Sequence, residues 1–567
     1  MTTSATARHY QQLGAALRPA LAAPLPSMPV ADMLQIADSY RREQRWNDAA
    51  LLYSIADRAS APSAPVKHNL ALCLLGSGDA AGALGYAEAA LAIAPTLWQS
   101  EIVRIKALKS LRRIDEALAA AQHLLERQPY NGDARLELAD LLLHELGDAR
   151  SAHLHAAHLL VDPRHAQDAT LTSLMARLYD RDESAEALTA EIVAFADAQL
   201  TLAQARPASE PAGEARAPGS SRRRIGLISP LLCCSPVYFF CIGALKLLAQ
   251  DFDLTFIHRG RKRDWATAEF RSIARDWFEL PEASAEALAA FLRSQRFDVL
   301  LDLGGWMDTA ALRALSTKPA PRMYKWMGGQ SATTGLKAFD GMLTDRYQTP
   351  RAQQGLYTEP LILLRQGYVT YSAPAYLPAP AAAQADRHAI GVIANPAKVS
   401  RRFLDSLVAM FASPQVKDLA KALTLRFIDQ RYRHAGARAR IEAALAPLDE
   451  RIAVEFITPA GHPAYLAELV GLDAVLDTHP YSGGLTTVEA LALGVPCLTR
   501  AGALFSERHS YAHCRYAGML YAHSDFDRGG LAALLETPQE PRASLIRADS
   551  KRVDHAGLAR ELATLLR

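Results

Sequence analysis

Small apolar residues recur at helical spacing through the first third of the chain, and short continuous apolar runs take over in the rest. Within "LQIADSYRREQRWNDAALLYSIADRASAP" the positions Ala37, Tyr40, Ala49, Tyr53 and Ala56 lie on two helix faces. From Arg224 onward the runs "RIGLIS", "DLTFIHRG", "FDVLLDLGG", "HAIGVIA", "LTLRFID", "AVLDTHPY" and "PCLTRAG" alternate with helix-like stretches. Such alternation predicts parallel α/β sheets, and two sets of runs predict two doubly wound lobes. Between the two regimes, "ARPASEPAGEARAPGSSRRR" turns to Pro, Gly, Ser and charge, the composition of an interdomain linker. The predicted order is a lead-in over 1–30, helical repeats over 31–165 and a helical cap over 166–204. A linker over 205–223, a first α/β lobe over 224–385 and a second over 386–567 follow.

The helical part has a fixed period. Pro95, Pro129 and Pro163 recur every 34 residues, and Ala37, Ala71 and Ala139 keep that phase. The second unit repeats the pattern with Ala71, Leu74, Gly78, Ala83, Ala90 and Pro95. The third carries Ile105 in the small-residue position, followed by Ala117, Ala121 and Pro129. In the fourth the middle is displaced by one residue, to Gly147 and Ala152. Small residues at these places let paired helices approach closely, and stacked pairs share a core while leaving one concave face free. The pattern resembles the tetratricopeptide repeat, which implies a groove for polypeptide or, failing that, a support for the fold or a homodimer.

One stretch raises a separate question. From Ile225 to Leu245, in "RIGLISPLLCCSPVYFFCIGALKLLAQ", no residue is charged, and three of the six cysteines fall there. It reaches the ~20 apolar residues that span a bilayer. Pro230 and Pro236 would each break a helical hydrogen bond, however, and no second such segment exists to compensate. A buried strand, a Pro-bounded loop and a helix from about Val237 fit better. The cysteines show no ligand spacing and read as small buried side chains. With 22% charged residues and a net charge of +2, the chain gives no reason to expect nucleic-acid binding. Six cysteines without CxxC pairs suit a reducing, cytoplasmic setting.

The most informative segment is "LDTHPYSGGLTTVEALALGVPCLT". A strand ends near Asp477, Gly483-Gly484 make a turn, and Thr486-Thr487 can cap a helix through "VEALALG". Free backbone N–H groups at such a helix start suit a diphosphate. Glu489, one turn in, can accept hydrogen bonds from ribose hydroxyls. A glycine-rich turn, an acidic residue and "ALGVP" together resemble the donor-binding signature of GT-B glycosyltransferases.

With "DVLLDLGGW" and "KPAP", "WMGGQSATTG", "FDGMLTD", "ANPAKVS" and "RAGALFSERHS", the chain resembles the O-linked N-acetylglucosamine transferase family in its bacterial, tetratricopeptide-bearing branch. The resemblance implies an α-solenoid followed by a GT-B region. It also implies inverting, metal-independent transfer from a UDP-sugar, with no cofactor, to Ser or Thr of a protein such as flagellin or an adhesin. The family's essential lysine falls on Lys398, whose ammonium would neutralise charge on the departing diphosphate. Asn395 falls on a nucleotide contact, and His462 resembles a residue beside the uracil. Leu485 and Thr486 stand where the family has the last residues of His-Thr-Thr, Thr487 lies next to them, and Glu489 replaces an aspartate that holds the ribose. Thr333, Thr334 and Gly335 resemble a turn near the sugar, and Arg508 matches an arginine in the same context.

Three departures bear on chemistry. Ser235 stands where the family has a histidine before proline, and a serine cannot accept the acceptor's proton at neutral pH. Gly484-Leu485 removes a polar contact to the donor, and Pro459 replaces a lysine beside the uracil. The alternatives are therefore a protein-binding scaffold that has lost chemistry, and a hexosyltransferase acting on Asn. Other patterns read as structure: the two "DFD" triplets, the His509/His513 pair without a HExxH glutamate, and the basic loop "HRGRKRD".

Overall fold

The computed structural model describes residues 28–202, 222–380, 387–417, 419, 422–518, 530–536, 544–546 and 548–567. Most of the linker and of the lead-in expected from sequence lies outside these residues. Two compact units emerge. One holds the chain up to Leu146 with Ser151–Ser173 and His434–Gly436; the other holds Gly147–Arg150, Leu174–Arg433 and Ala437–Arg567.

The first unit is built from helix pairs: Val30–Arg42 with Trp46–Ala59, Ala64–Ser77 with Ala80–Ile93, and Trp98–Ser110 with Ile114–Arg127, followed by Gly132–Leu141. Ala37, Ala49, Tyr53, Ala71, Leu74, Ala83, Ile105, Ala117 and Ala121 form one buried cluster, so the periodic positions are the packing surface. Left-handed backbone marks the turn inside each pair, at Gln44 (φ 57°), Gly78 (φ 92°), Arg112 (φ 61°) and Gly147 (φ 75°). The first three are 34 residues apart and the last 35. The extra residue is absorbed in a π-helical turn, Leu142–Leu146, where each turn holds one more residue than an α-helix. That turn is the physical cause of the displaced fourth repeat.

The second unit carries two all-parallel sheets. The first comprises β1 (Arg224–Ser229), β2 (Asp253–His258), β3 (Asp276–Glu279), β4 (Val299–Asp302), β5 (Arg322–Trp326), β6 (Gly341–Thr344) and β7 (Leu361–Leu363), in the order β3-β2-β1-β4-β5-β6-β7. The second comprises β8 (Arg387–Val392), β9 (Ala422–Ile428), β10 (Ile452–Ile457), β11 (Ala474–Leu476) and β12 (Cys497–Leu498), in the order β10-β9-β8-β11-β12. Strand order reverses beside β1 and beside β8, the crevice positions where doubly wound sheets bind ligands. The uncharged stretch resolves into buried β1, a loop and the helix Pro236–Leu248 of 13 residues. No described helix is long and apolar enough to cross a membrane.

One boundary differs from the sequence expectation. The last helix, His555–Leu566, packs on Pro236–Leu248 beneath the first sheet. Arg322 donates to Leu565 O and Leu566 O, and Glu561 accepts from the amides of Arg365 and Gln366. A short amphipathic helix shows that it must be covered, not by which sheet, so its place was not legible beforehand.

Candidate functional site

The residues expected to hold a donor follow the C-terminal ends of β8, β10 and β11. After β8 the chain makes a single 3₁₀ turn, Pro396–Lys398, preceded by Asn395. Lys398 Nζ donates to Ser482 O at 2.8 Å and stands 4.7 Å from the centroid of the Tyr481 ring. Burial pulls the Lys398 pKa down to about 8, against the pull of Asp477 and Asp429. Its ammonium charge is therefore held at a desolvated point where an anion would relieve it. Asn395 Oδ1 is enclosed without a hydrogen-bond partner. His509 is half-buried, and desolvation, with Lys398 close by, lowers its pKa to about 3, so it stands neutral.

Asp477, at the end of β11, shapes the glycine turn. It accepts from the Gly483 amide and from Thr499 Oγ1, each at 2.6 Å. Burial nevertheless raises its carboxyl to about 6. A Cβ on Gly483 would meet Thr487 Oγ1 at 2.7 Å and Thr486 Oγ1 at 3.1 Å, which excludes any larger residue. Gly484 faces open space, since a Cβ there would find no atom within 4 Å. The helix Leu485–Ala492 starts here without a side-chain cap, leaving its first amides for a ligand. Thr487 is turned inward, its hydroxyl 2.7 Å from Ser510 Oγ.

Glu489 is 1% exposed, and burial raises its pKa. His462 Nε2 lies 2.7 Å from Glu489 Oε1, and His462 Nδ1 lies 2.8 Å from the Tyr376 hydroxyl. The imidazole also packs against Phe239 and Tyr465. Cys234, in the loop after β1, has its thiol pKa raised by burial, by Asp264 and by Glu489, against the opposing pull of Lys262 and Tyr376. The loop of the first sheet thus reaches the pocket of the second.

The other expected residues are committed to the protein itself. Ser235 Oγ donates to Leu231 O at 2.8 Å, inside its own loop. Thr333 Oγ1, the Thr334 amide and Thr334 Oγ1 all converge on Glu359, which is fully buried. Gly335 (φ 74°) faces Ala196, whose Cβ would be 2.5 Å from an added Cβ. Arg508 donates to Tyr347 O and Gly502 O and covers the Tyr511 ring. These five positions are thus held by contacts within the protein.

Sequence reading missed several parts. Asp477 and Tyr481 sit inside the quoted motif, at a strand end, and could have been taken from that position. Lys325 on β5 is fully buried and donates to Met327 O, Gly328 O and Asp302 O, tying together the two glycine loops. Tyr376 lies in the Pro-rich connection "SAPAYLPAP", which carries no local signal.

Known proteins share this fold. A lysine-to-methionine mutant of the Thermobaculum terrenum O-GlcNAc transferase superposes with a TM-score of 0.72, covering 89% of this chain and 93% of that one at 22% identity. The chain has the fold of an O-GlcNAc transferase. Its sequence is similar to the probable UDP-N-acetylglucosamine–peptide N-acetylglucosaminyltransferase SPINDLY of Oryza sativa subsp. japonica, 28% identical over 233 residues. The SPINDLY protein of Petunia hybrida is 25% identical over 305 residues. Those matches cover 40% and 52% of this chain but only 24% and 32% of the relatives. No family model matches the chain. In this O-GlcNAc transferase-like fold, Lys398 follows β8, and the open helix start and Glu489 follow β11, its neighbour in the second sheet.

Proposed function

We propose that the chain is a protein glycosyltransferase that moves a sugar, N-acetylglucosamine or another hexose, from a UDP-sugar to Ser or Thr of a polypeptide. The observation that carries this reading is the half-buried Lys398 ammonium at the strand ends, beside the uncapped helix start at Gly484. The pair offers a fixed positive charge and open amides where a diphosphate would leave. Glu489, held by His462, is the acceptor for ribose hydroxyls, and Asn395 Oδ1 is a free polar contact for the nucleotide.

Transfer on this reading is inverting and metal-independent, the leaving diphosphate being stabilised by Lys398 and the helix start. The Ser235 hydroxyl is bound to Leu231 O, so the acceptor's proton leaves through the substrate or water. The repeats bind the acceptor polypeptide, and a flagellin or adhesin is the class of acceptor to try first.

The test is a thermal-shift series with UDP, GDP, TDP and their sugars in EDTA, followed by mass spectrometry of candidate acceptors. A ligand at ~100 times its Kd adds ~2.7 kcal/mol. A shift with UDP and one UDP-sugar, lost in Lys398→Ala, is the expected outcome. No shift with any nucleotide would overturn the reading.

A further inference from the structure

The helix Ala166–Tyr179 ends in a corner, Tyr179-Asp180-Arg181, that touches the donor site from three directions. The Tyr179 ring stacks on Tyr481 at 4.7 Å with an interplanar angle of 12°, and Tyr481 is the ring beside Lys398. Asp180 is 6% exposed and accepts from the Arg401 amide at 3.1 Å, at the start of the helix three residues after Lys398. Arg181 pairs with Glu507, both side chains nearly buried. Glu507 in turn accepts from the amides of Ala503 and Leu504. Next to it, Ser506 O accepts from the Ser482 amide and hydroxyl, and Ser482 O accepts from Lys398.

A second point presses on the same turn. A Cβ on Gly147 would stand 2.0 Å from Pro396 O, so only glycine allows this approach. Arg440, whose guanidinium also lies beside Gly147, donates to Pro396 O and Val399 O. The turn bearing Lys398 is thus framed by residues far from it in sequence.

We propose that the Tyr179–Arg181 corner is a positioning element of the donor site. It holds the Tyr481 ring, the helix start at Arg401 and the Glu507 loop in one register around Lys398. The three contacts share a single turn of chain, so a displacement of that turn moves all three together. Removing the Tyr179 ring frees Tyr481 and admits water to Lys398, which has Asp477, Asp429, neutral His509 and the Tyr481 hydroxyl as its titratable neighbours.

The experiment measures the Lys398 titration midpoint in the full chain by competitive acetylation across pH, read by mass spectrometry. It needs no nucleotide. The inference rests on the transferase reading for its meaning, yet a moved midpoint in a protein that binds no UDP would sink only that reading. Tyr179→Leu is expected to raise the midpoint by roughly 1 pH unit as solvation returns. Tyr179→Phe, which keeps the stack, is expected to restore it. If Tyr179→Leu does not fold, Tyr179→Met takes its place with the same expectation. A variant that folds, melts lower and leaves the Lys398 midpoint where it was would reduce the corner to a structural contact and overturn the inference.

Discussion

Binding of a nucleoside diphosphate should be coupled to proton uptake by Lys398. In the free protein burial holds this lysine at about 8 rather than 10.5, with Asp477 and Asp429 opposing the shift and His509 neutral beside it. That displacement is about 3 kcal/mol of penalty on the ammonium. A diphosphate placed against Nζ removes the penalty and returns the pKa toward its ordinary value. At pH 8.5 about a quarter of the free protein carries the proton, and nearly all of the complex does, so binding takes up about 0.7 proton. At pH 7 the free lysine is already mostly charged, and uptake falls to about 0.1 proton. Calorimetry of UDP binding in two buffers of different ionisation enthalpy gives the number directly. Lys398→Met, measured alongside, subtracts the titration of the nucleotide itself. Equal heats in both buffers at pH 8.5, or the same uptake in the variant, would refute the placement of the phosphates at Lys398.

Other expectations follow from the same geometry. Glu359→Ala strands three buried donors from Thr333 and Thr334 and should cost about 3 kcal/mol in denaturant unfolding; a loss under about 1 kcal/mol would show the turn to be held otherwise. Asp477 is raised to about 6 in the folded state, so its contribution is present at pH 4 and lost as pH rises to 6. The stability of wild type relative to Asp477→Asn should therefore decline by up to about 3 kcal/mol over that interval, and a flat difference would contradict the assignment. Ser235→Ala should change turnover by less than about threefold, because its hydroxyl is bound to Leu231 O; a hundredfold loss would restore it to the chemistry. Glu489→Ala should weaken UDP binding at least about tenfold by removing the ribose acceptor and freeing His462, and unchanged affinity would remove Glu489 from the site.

Sequence alone determined the helical period and much of the α/β order. Small residues in a 34-residue phase are a packing requirement, and Ala37 and Ala71 lie in the buried cluster. The runs read as strands are β1, β2, β4, β8, β9, β11 and β12, whose side chains are largely apolar. β3, "DWFE", and β5, "RMYKW", escaped notice because half-exposed or charge-bearing strands lack that pattern. The candidate donor residues could be named for a similar reason: Lys398, the glycine turn and Glu489 belong to local motifs at strand ends. Which polar groups are free for a ligand could not be read in that way. Thr333, Thr334, Ser235 and Arg508 have the chemistry of ligand contacts, but Glu359, Leu231 O, Tyr347 O and Gly502 O occupy them. Tyr179, Asp180 and Arg181 carried no signal, since their partners Tyr481, Arg401 and Glu507 lie more than 200 residues away. Periodicity and turn chemistry are properties of neighbouring residues and survive in a linear string. The commitment of a hydroxyl or guanidinium depends on which buried acceptor the fold brings to it, and only the tertiary structure decides that.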